Sequence, residues 1–147
     1  MTKINECCVE FEFEFSYVNN KLMQVQLVND QNIVLVDPQH VHDRYWAVAK
    51  INVSLPTTIK LEFAGKDPNI DTVLDDKGNI VEDLYVKITA IKLDGFALKE
   101  NFLHQRLTIH TLDNQCWTTS YIGFNGTITI NFEKSNTFSQ YLYFLNY

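Results

Sequence analysis

Glycine, proline and cysteine are scarce in this chain, at five, three and three among 147 residues. With apolar residues at 46% of the sequence, that scarcity excludes a low-complexity or disordered polymer, and the chain is expected to fold. The cysteines make a poor disulfide framework. Cys7 and Cys8 are adjacent, neighbours on a strand point to opposite faces, and only one of them can meet Cys116, so reduced thiols are expected. Positive charge is short as well. A formal net charge of −6, with no cluster of Lys or Arg, argues against binding nucleic acid, whose phosphates require a basic surface that releases counterions. No stretch approaches the length of a membrane span, and residues 1–6 carry no apolar segment behind a basic start. A protein made in a cytoplasm, or held in a particle assembled there, is expected, with no membrane partner. Catalytic signatures are also missing. There is no glycine-rich phosphate loop and no serine on a nucleophile elbow, and Cys116 with His104 or His110 stands in no recognisable nucleophile and base context. The chain is expected not to be an enzyme and to need no cofactor.

What is abundant is aromatic residues, ten Phe and seven Tyr, set in alternating patterns. Val9, Phe11, Phe13, Phe15 and Tyr17 alternate with Glu10, Glu12, Glu14 and Ser16, the period of a half-buried strand with a solvated carboxylate row outside. Asn19-Asn20 suits a two-residue hairpin turn, because Asn tolerates left-handed backbone, and residues 21–28 are expected to return beside the first strand as a meander. Further strands are expected over residues 33–36, 45–55, 58–63, 84–93 and 106–112. Residues 115–122 are expected to form one strand with Trp117 and Tyr121 on one face, and Asn125-Gly126 is the strongest short hairpin signal, feeding residues 127–132. Such recurring short strands predict an all-β, antiparallel, jelly-roll-like β-sandwich over residues 1–147 as a single domain. In the C-terminal stretch Tyr141, Leu142, Tyr143, Phe144, Leu145 and Tyr147 make both faces apolar. A strand of that kind is central or covered by a partner, so an interface and a homo-oligomer are expected there.

Two places invite a metal. His40 and His42 share a face if residues 37–43 are extended, flanked by Asp37 and Asp43, but no further acid follows at a useful spacing and a surface turn is the simpler reading. Between the strands at 58–63 and 84–93, the carboxylates Asp67, Asp71, Asp75, Asp76, Glu82 and Asp83 crowd a loop in which only Lys66 and Lys77 are basic. Asp67, Asn69 and Asp71 alternate as oxygen ligands do in calcium loops. The EF-hand pattern fails, with Thr72 where Gly belongs and Gly78 where a bidentate Glu belongs. If Asp67, Asn69, Asp71 and one of Asp75 or Asp76 converge, they form a calcium site; the spacing favours an outward splay.

The segment at 61–95, with Ala64-Gly65-Lys66-Asp67-Pro68-Asn69, Asp76-Lys77-Gly78-Asn79-Ile80 and Leu93-Asp94-Gly95, resembles small β-sandwich virion-associated proteins of tailed phages that infect cyanobacteria. Tyr121-Ile122-Gly123-Phe124-Asn125-Gly126-Thr127 fits the same pattern. The segment is also similar to calcium-dependent carbohydrate-binding modules. The first resemblance implies a structural or attachment protein of a virion, assembled in the host cytoplasm beside other virion proteins, as a capsid decoration, neck or tail-fibre accessory. The second implies a module for a surface glycan, with Trp46, Trp117 and Tyr121 as the rings that stack on sugar.

Overall fold

The structure is a computed structural model and describes residues 6–30, 32–54, 57–97, 107–110, 116–117 and 121–132. It is an all-β sandwich. The first sheet contains β1 (Glu6–Phe15), β4 (Gln39–Val41), β5 (Arg44–Ser54), β9 (Val86–Leu93), β10 (Phe96–Ala97) and β13 (Tyr121–Ile122), in the order β10-β9-β1-β5-β4 with β13 also on β9. The second contains β2 (Gln24–Asn29), β3 (Asn32–Leu35), β6 (Thr57–Ala64), β11 (Leu107–His110), β12 (Cys116–Trp117) and β14 (Gly126–Phe132), in the order β12-β11-β14-β6-β2-β3. A small hairpin of β7 (Thr72–Leu74) and β8 (Ile80–Asp83) stands apart. All pairings are antiparallel.

The alternation of β1 does what its period demands. Val9, Phe11, Phe13 and Phe15 are buried and meet, across the sandwich, a layer that includes Val25, Leu27, Ile59, Leu61, Phe63, Ile128 and Ile130. Each fully buried side chain of this size contributes roughly 1.5–3 kcal/mol by leaving water. Outside, the carboxylate row is partly neutralised by its neighbours. Lys92 lies 3.1 Å from Glu12 and 3.4 Å from Glu10, and Lys50 lies 3.4 Å from Glu10. In β9 the alternation changes phase, because a bulge opposite Glu12 and Phe13 admits an extra residue, so Ile88 and Ile91 both face the core.

Two turns expected to make local hairpins, and one segment expected to be a single strand, instead carry the chain between sheets. Asn19 and Asn20 do adopt left-handed backbone, φ 55° and 61°, and Val18 bridges Lys21. Beyond that bridge the strands part, β1 lying between β5 and β9 while β2 lies between β6 and β3, so the expected meander is replaced by a crossover. Residues 115–122 likewise are not one strand, since β12 pairs β11 in the second sheet and β13 pairs β9 in the first. Asn125-Gly126 then returns the chain to the second sheet rather than closing a hairpin. The reason is local. The Asn125 side chain accepts from Lys66 N at 3.0 Å and donates to Lys66 O at 2.8 Å, which commits the turn to a distant loop. The expected C-terminal interface at Tyr141, Leu142, Tyr143, Phe144, Leu145 and Tyr147 lies outside the described residues, as do residues 55–56 and 111–115.

Candidate functional site

Residues 65–83 leave β6 at Gly65, whose φ of 96° is left-handed, and reach β9 through the β7–β8 hairpin. Their carboxylates do not share a fate. Asp71 is fully buried, and its oxygens accept from Asn19 Nδ2 at 3.0 Å, Asp67 N at 2.6 Å and Lys21 Nζ at 2.5 Å. Burial alone pushes this carboxyl up, but the Lys21 ammonium, the Asp67 amide and the Asn19 amide outweigh it and hold the pKa down at about 2. Asp71 therefore staples the Asn19-Asn20 turn to the loop.

Asp83 holds the other end. Its Oδ1 accepts from Lys66 Nζ at 2.5 Å and Thr72 Oγ1 at 2.8 Å, and its Oδ2 from the Tyr121 hydroxyl at 2.6 Å. Lys66 also donates to the Gly123 carbonyl at 2.6 Å, with its side chain only 5% exposed. Burial again raises the Asp83 carboxyl, and Lys66, Tyr121 and Thr72 more than offset it, so its pKa is lowered. Burial and the charge of Asp83 raise the Tyr121 phenol, which keeps it a donor and unsuited to act as a base. Asp75 caps the Asp-Lys-Gly-Asn turn by accepting from Lys77 N at 2.8 Å and Asn79 N at 2.9 Å, and those amides lower its pKa. Asp67 closes a small turn onto Asn69 N at 3.0 Å.

The calcium set is thus not assembled in this structure. Asp71 is turned inward onto Lys21, Asp75 onto its own turn, and Asp67, Asn69 and Asp76 are exposed. Among the described residues, no group of three or more His, Cys, Asp or Glu side chains gathers as metal ligands, His40 and His42 included. Cys7 and Cys8 are free thiols; burial, then Asp94 and Cys8, push the Cys7 thiol up to about 11, far from a reactive thiolate.

Of the expected sugar-stacking rings, Trp46 and Tyr121 lie on non-adjacent strands, β5 and β13. Trp46 is half-buried on the outer face of β5, opposite Glu14 and Gln39. Trp117 belongs to β12, and its side chain lies outside the described residues. Tyr121 is 42% exposed but stacks on Tyr85, ring centroids 4.5 Å apart, with its hydroxyl committed to Asp83.

A different aromatic cluster lies at the end of the first sheet. Tyr45 faces Phe15 on one side and His40 on the other in the strand register, and Tyr17 follows Phe15 by two residues. The outcome is a row of three stacked rings running from the segment just after β1 across β5 to β4. Tyr17 and Tyr45 are 5.3 Å apart with an interplanar angle of 21°, and His40 and Tyr45 are 4.6 Å apart at 17°. The row borders an open cleft of about 470 Å³, also lined by Glu14, Asp43 and Arg44. Among the described residues, the side chains of Glu14, Asp43 and Arg44 have no hydrogen-bond or ion-pair partner, unlike Asp71, Asp75 and Asp83. His42 and Asp43 form the two-residue turn between β4 and β5, both left-handed at φ 51° and 64°. Such turns favour Asn-Gly or Asp-Gly, and left-handed backbone costs a residue other than Gly on the order of 1 kcal/mol or more. The signal in sequence was the spacing: His40 and Tyr45 flank a two-residue turn, so they become neighbours only once residues 39–46 form a hairpin.

No family model matches the chain, and no curated protein and no solved structure matches it.

Proposed function

We propose that this chain is a non-enzymatic attachment protein that docks on a larger assembly, and that the assembly is a phage particle. The observation that carries docking is the edge of the second sheet. Among the described residues β3 is its outermost strand, and the outward side chains Ile33 and Leu35 are 66% and 74% exposed. Protein edges are commonly blunted by charge, proline or a bulge. Residues 32–35 carry no charge and no proline, and their register against β2 is unbroken. Beside that edge runs a mostly apolar groove of about 560 Å³, with Leu22, Met23, Val25, Leu35, Val36 and Pro38 on its wall beside Gln24, Gln26 and Glu62. An uncharged edge with an adjacent, mostly apolar groove suits burial against another virion protein or another copy of this chain. The phage assignment is supported by the resemblance of residues 61–95 and 121–127. A non-enzymatic role is supported by the use of Asp71, Asp75 and Asp83 as internal braces.

Mass spectrometry of purified virions tests the reading, with the chain expected at a fixed copy number per particle. An Ile33→Lys/Leu35→Lys variant that keeps its melting temperature is expected to be left out of particles and to lose self-association. Absence of the wild-type chain from purified particles overturns the phage assignment, and normal incorporation of the double variant overturns the edge as the docking surface.

A second reading, a carbohydrate-binding module, is favoured by the stacked row of Tyr17, Tyr45 and His40 beside an open cleft.

A further inference from the structure

We propose that the cleft between Tyr17, His40 and the Asp43-Arg44 turn binds a neutral sugar residue of a surface glycan; this rests on the second reading above and gives it a location. The argument begins with the charges around the cleft. Glu14 and Asp43 oppose an anion, and Arg44 opposes a compact cation. Carboxylates only accept hydrogen bonds and a guanidinium only donates them, so the three together match a ligand whose groups do both. Hydroxyls do both, and several hydroxyls on one small frame make a polyol.

The rings supply the remaining selectivity. Tyr45 is the middle member of the stack, with one face toward Tyr17 and the other toward His40. The outer rings each keep the face turned away from Tyr45, and Tyr17 is 51% exposed with its hydroxyl 3.3 Å from Asn20 Oδ1. A pyranose presents an apolar C–H face flanked by hydroxyls, which pairs with an aromatic face beside polar groups. The cleft volume of about 470 Å³ falls within the range of small-ligand sites, roughly 300–1,000 Å³, and suits one or two sugar residues.

The backbone supports the same assignment. The turn places His42 and Asp43 in left-handed conformations where Gly is preferred, and it carries an acid and a base to the rim of the cleft without internal partners. The site includes neither Trp46 nor Tyr121, and it needs no calcium.

The test is titration of the ¹⁵N-labelled chain with glucose, galactose, mannose, rhamnose and their disaccharides, followed by backbone amide shifts. The expected result is saturable shifts confined to residues 14–17 and 40–46, with affinity falling about tenfold or more in Tyr17→Ala, Asp43→Asn and Arg44→Met. Melting temperatures of the three variants report whether each remains folded, and Asp43→Asn retains the turn because Asn tolerates its backbone. Saturable binding that survives all three variants but is lost in Trp46→Ala or Tyr121→Ala overturns this location and leaves the glycan reading standing. Shifts with an arginine-rich peptide and none with any saccharide overturn the sugar assignment. The absence of any saccharide shift at millimolar concentrations overturns both the location and the glycan reading.

Discussion

Lys66 Nζ lies 2.5 Å from Asp83 Oδ1, with the two side chains only 5% and 14% exposed, and this ion pair ties the loop after β6 to the strand that carries Tyr121. Taking one partner out of a buried pair leaves the other charge desolvated, which costs about 3–5 kcal/mol. Lys66→Met is therefore expected to lower unfolding free energy by about that amount. The double variant Lys66→Met/Asp83→Asn removes both charges yet keeps an amide oxygen for the Tyr121 hydroxyl, so it is expected to recover at least about 1 kcal/mol of the loss. Urea unfolding of the set measures this, and a single-variant loss below about 1 kcal/mol would show the pair to be screened by solvent.

Stability is expected to fall at both ends of the pH scale. Asp71 is held at about 2 against an ordinary 3.8, and Asp75 and Asp83 are lowered too. A lowered carboxyl stabilises the fold above its unfolded pKa and loses that contribution as pH falls through its folded one, here between about pH 4 and pH 2. Cys7, raised from 9.0 to about 11, works in the opposite direction: the unfolded thiol ionises first, so stability declines from about pH 9 to pH 11, with the raised Tyr121 and Lys92 adding to the decline from their ordinary values of 10.0 and 10.5 upward. Chemical denaturation across pH checks both limbs. Asp71→Asn should flatten the acid limb, and Cys7→Ser the first part of the alkaline one.

Gly123 is the tightest point beside this ion pair. A Cβ there would stand 3.1 Å from Asp83 Oδ2 and 3.2 Å from Tyr121 Cε1. Gly123→Ala is expected to cost about 1–3 kcal/mol through displacement of the Tyr121 ring from Tyr85. Near-ultraviolet circular dichroism should report the loss of the tyrosine stack, whereas Gly78→Ala, which meets nothing within 4 Å, should leave that signal intact while paying for its φ of 82°. An unchanged tyrosine signal in Gly123→Ala would mean that the turn relaxes around the methyl group.

The layered core could be read from sequence because its cause is local. Val9 to Phe15 alternate every second residue, and burial follows that period without help from the rest of the chain. The crossovers could not, because Asn19-Asn20 adopts the same left-handed pair whether the strands beyond it pair or diverge. Where the strands part, the turn is held by the buried carboxylate of Asp71, 52 residues away from Asn19, a partner that local sequence does not reveal. The aromatic row was hidden for a similar reason. Tyr17, His40 and Tyr45 come together through strand register, and Trp46, a more obvious choice from composition, does not share the row.

The final prediction concerns calcium. Two of the oxygen donors that alternate along the loop already have partners: Asp71 accepts from Lys21, and Asp67 accepts from Asn69 N. An ion would have to displace the Lys21 ammonium from a fully buried carboxylate and reverse the direction of the Asp67 side chain. Asp75, on the far side of the β7–β8 hairpin, would also have to release the Lys77 and Asn79 amides. Each step removes a charge-assisted hydrogen bond before any ligation begins. The melting temperature is therefore expected to be the same in millimolar calcium and in chelator. Lys21→Met should destabilise the fold in both conditions by leaving Asp71 without its cation. A clear rise in melting temperature with calcium that disappears in Asp67→Ala or Asp71→Ala would show that the loop rearranges around an ion, which binds the folded chain by mass action.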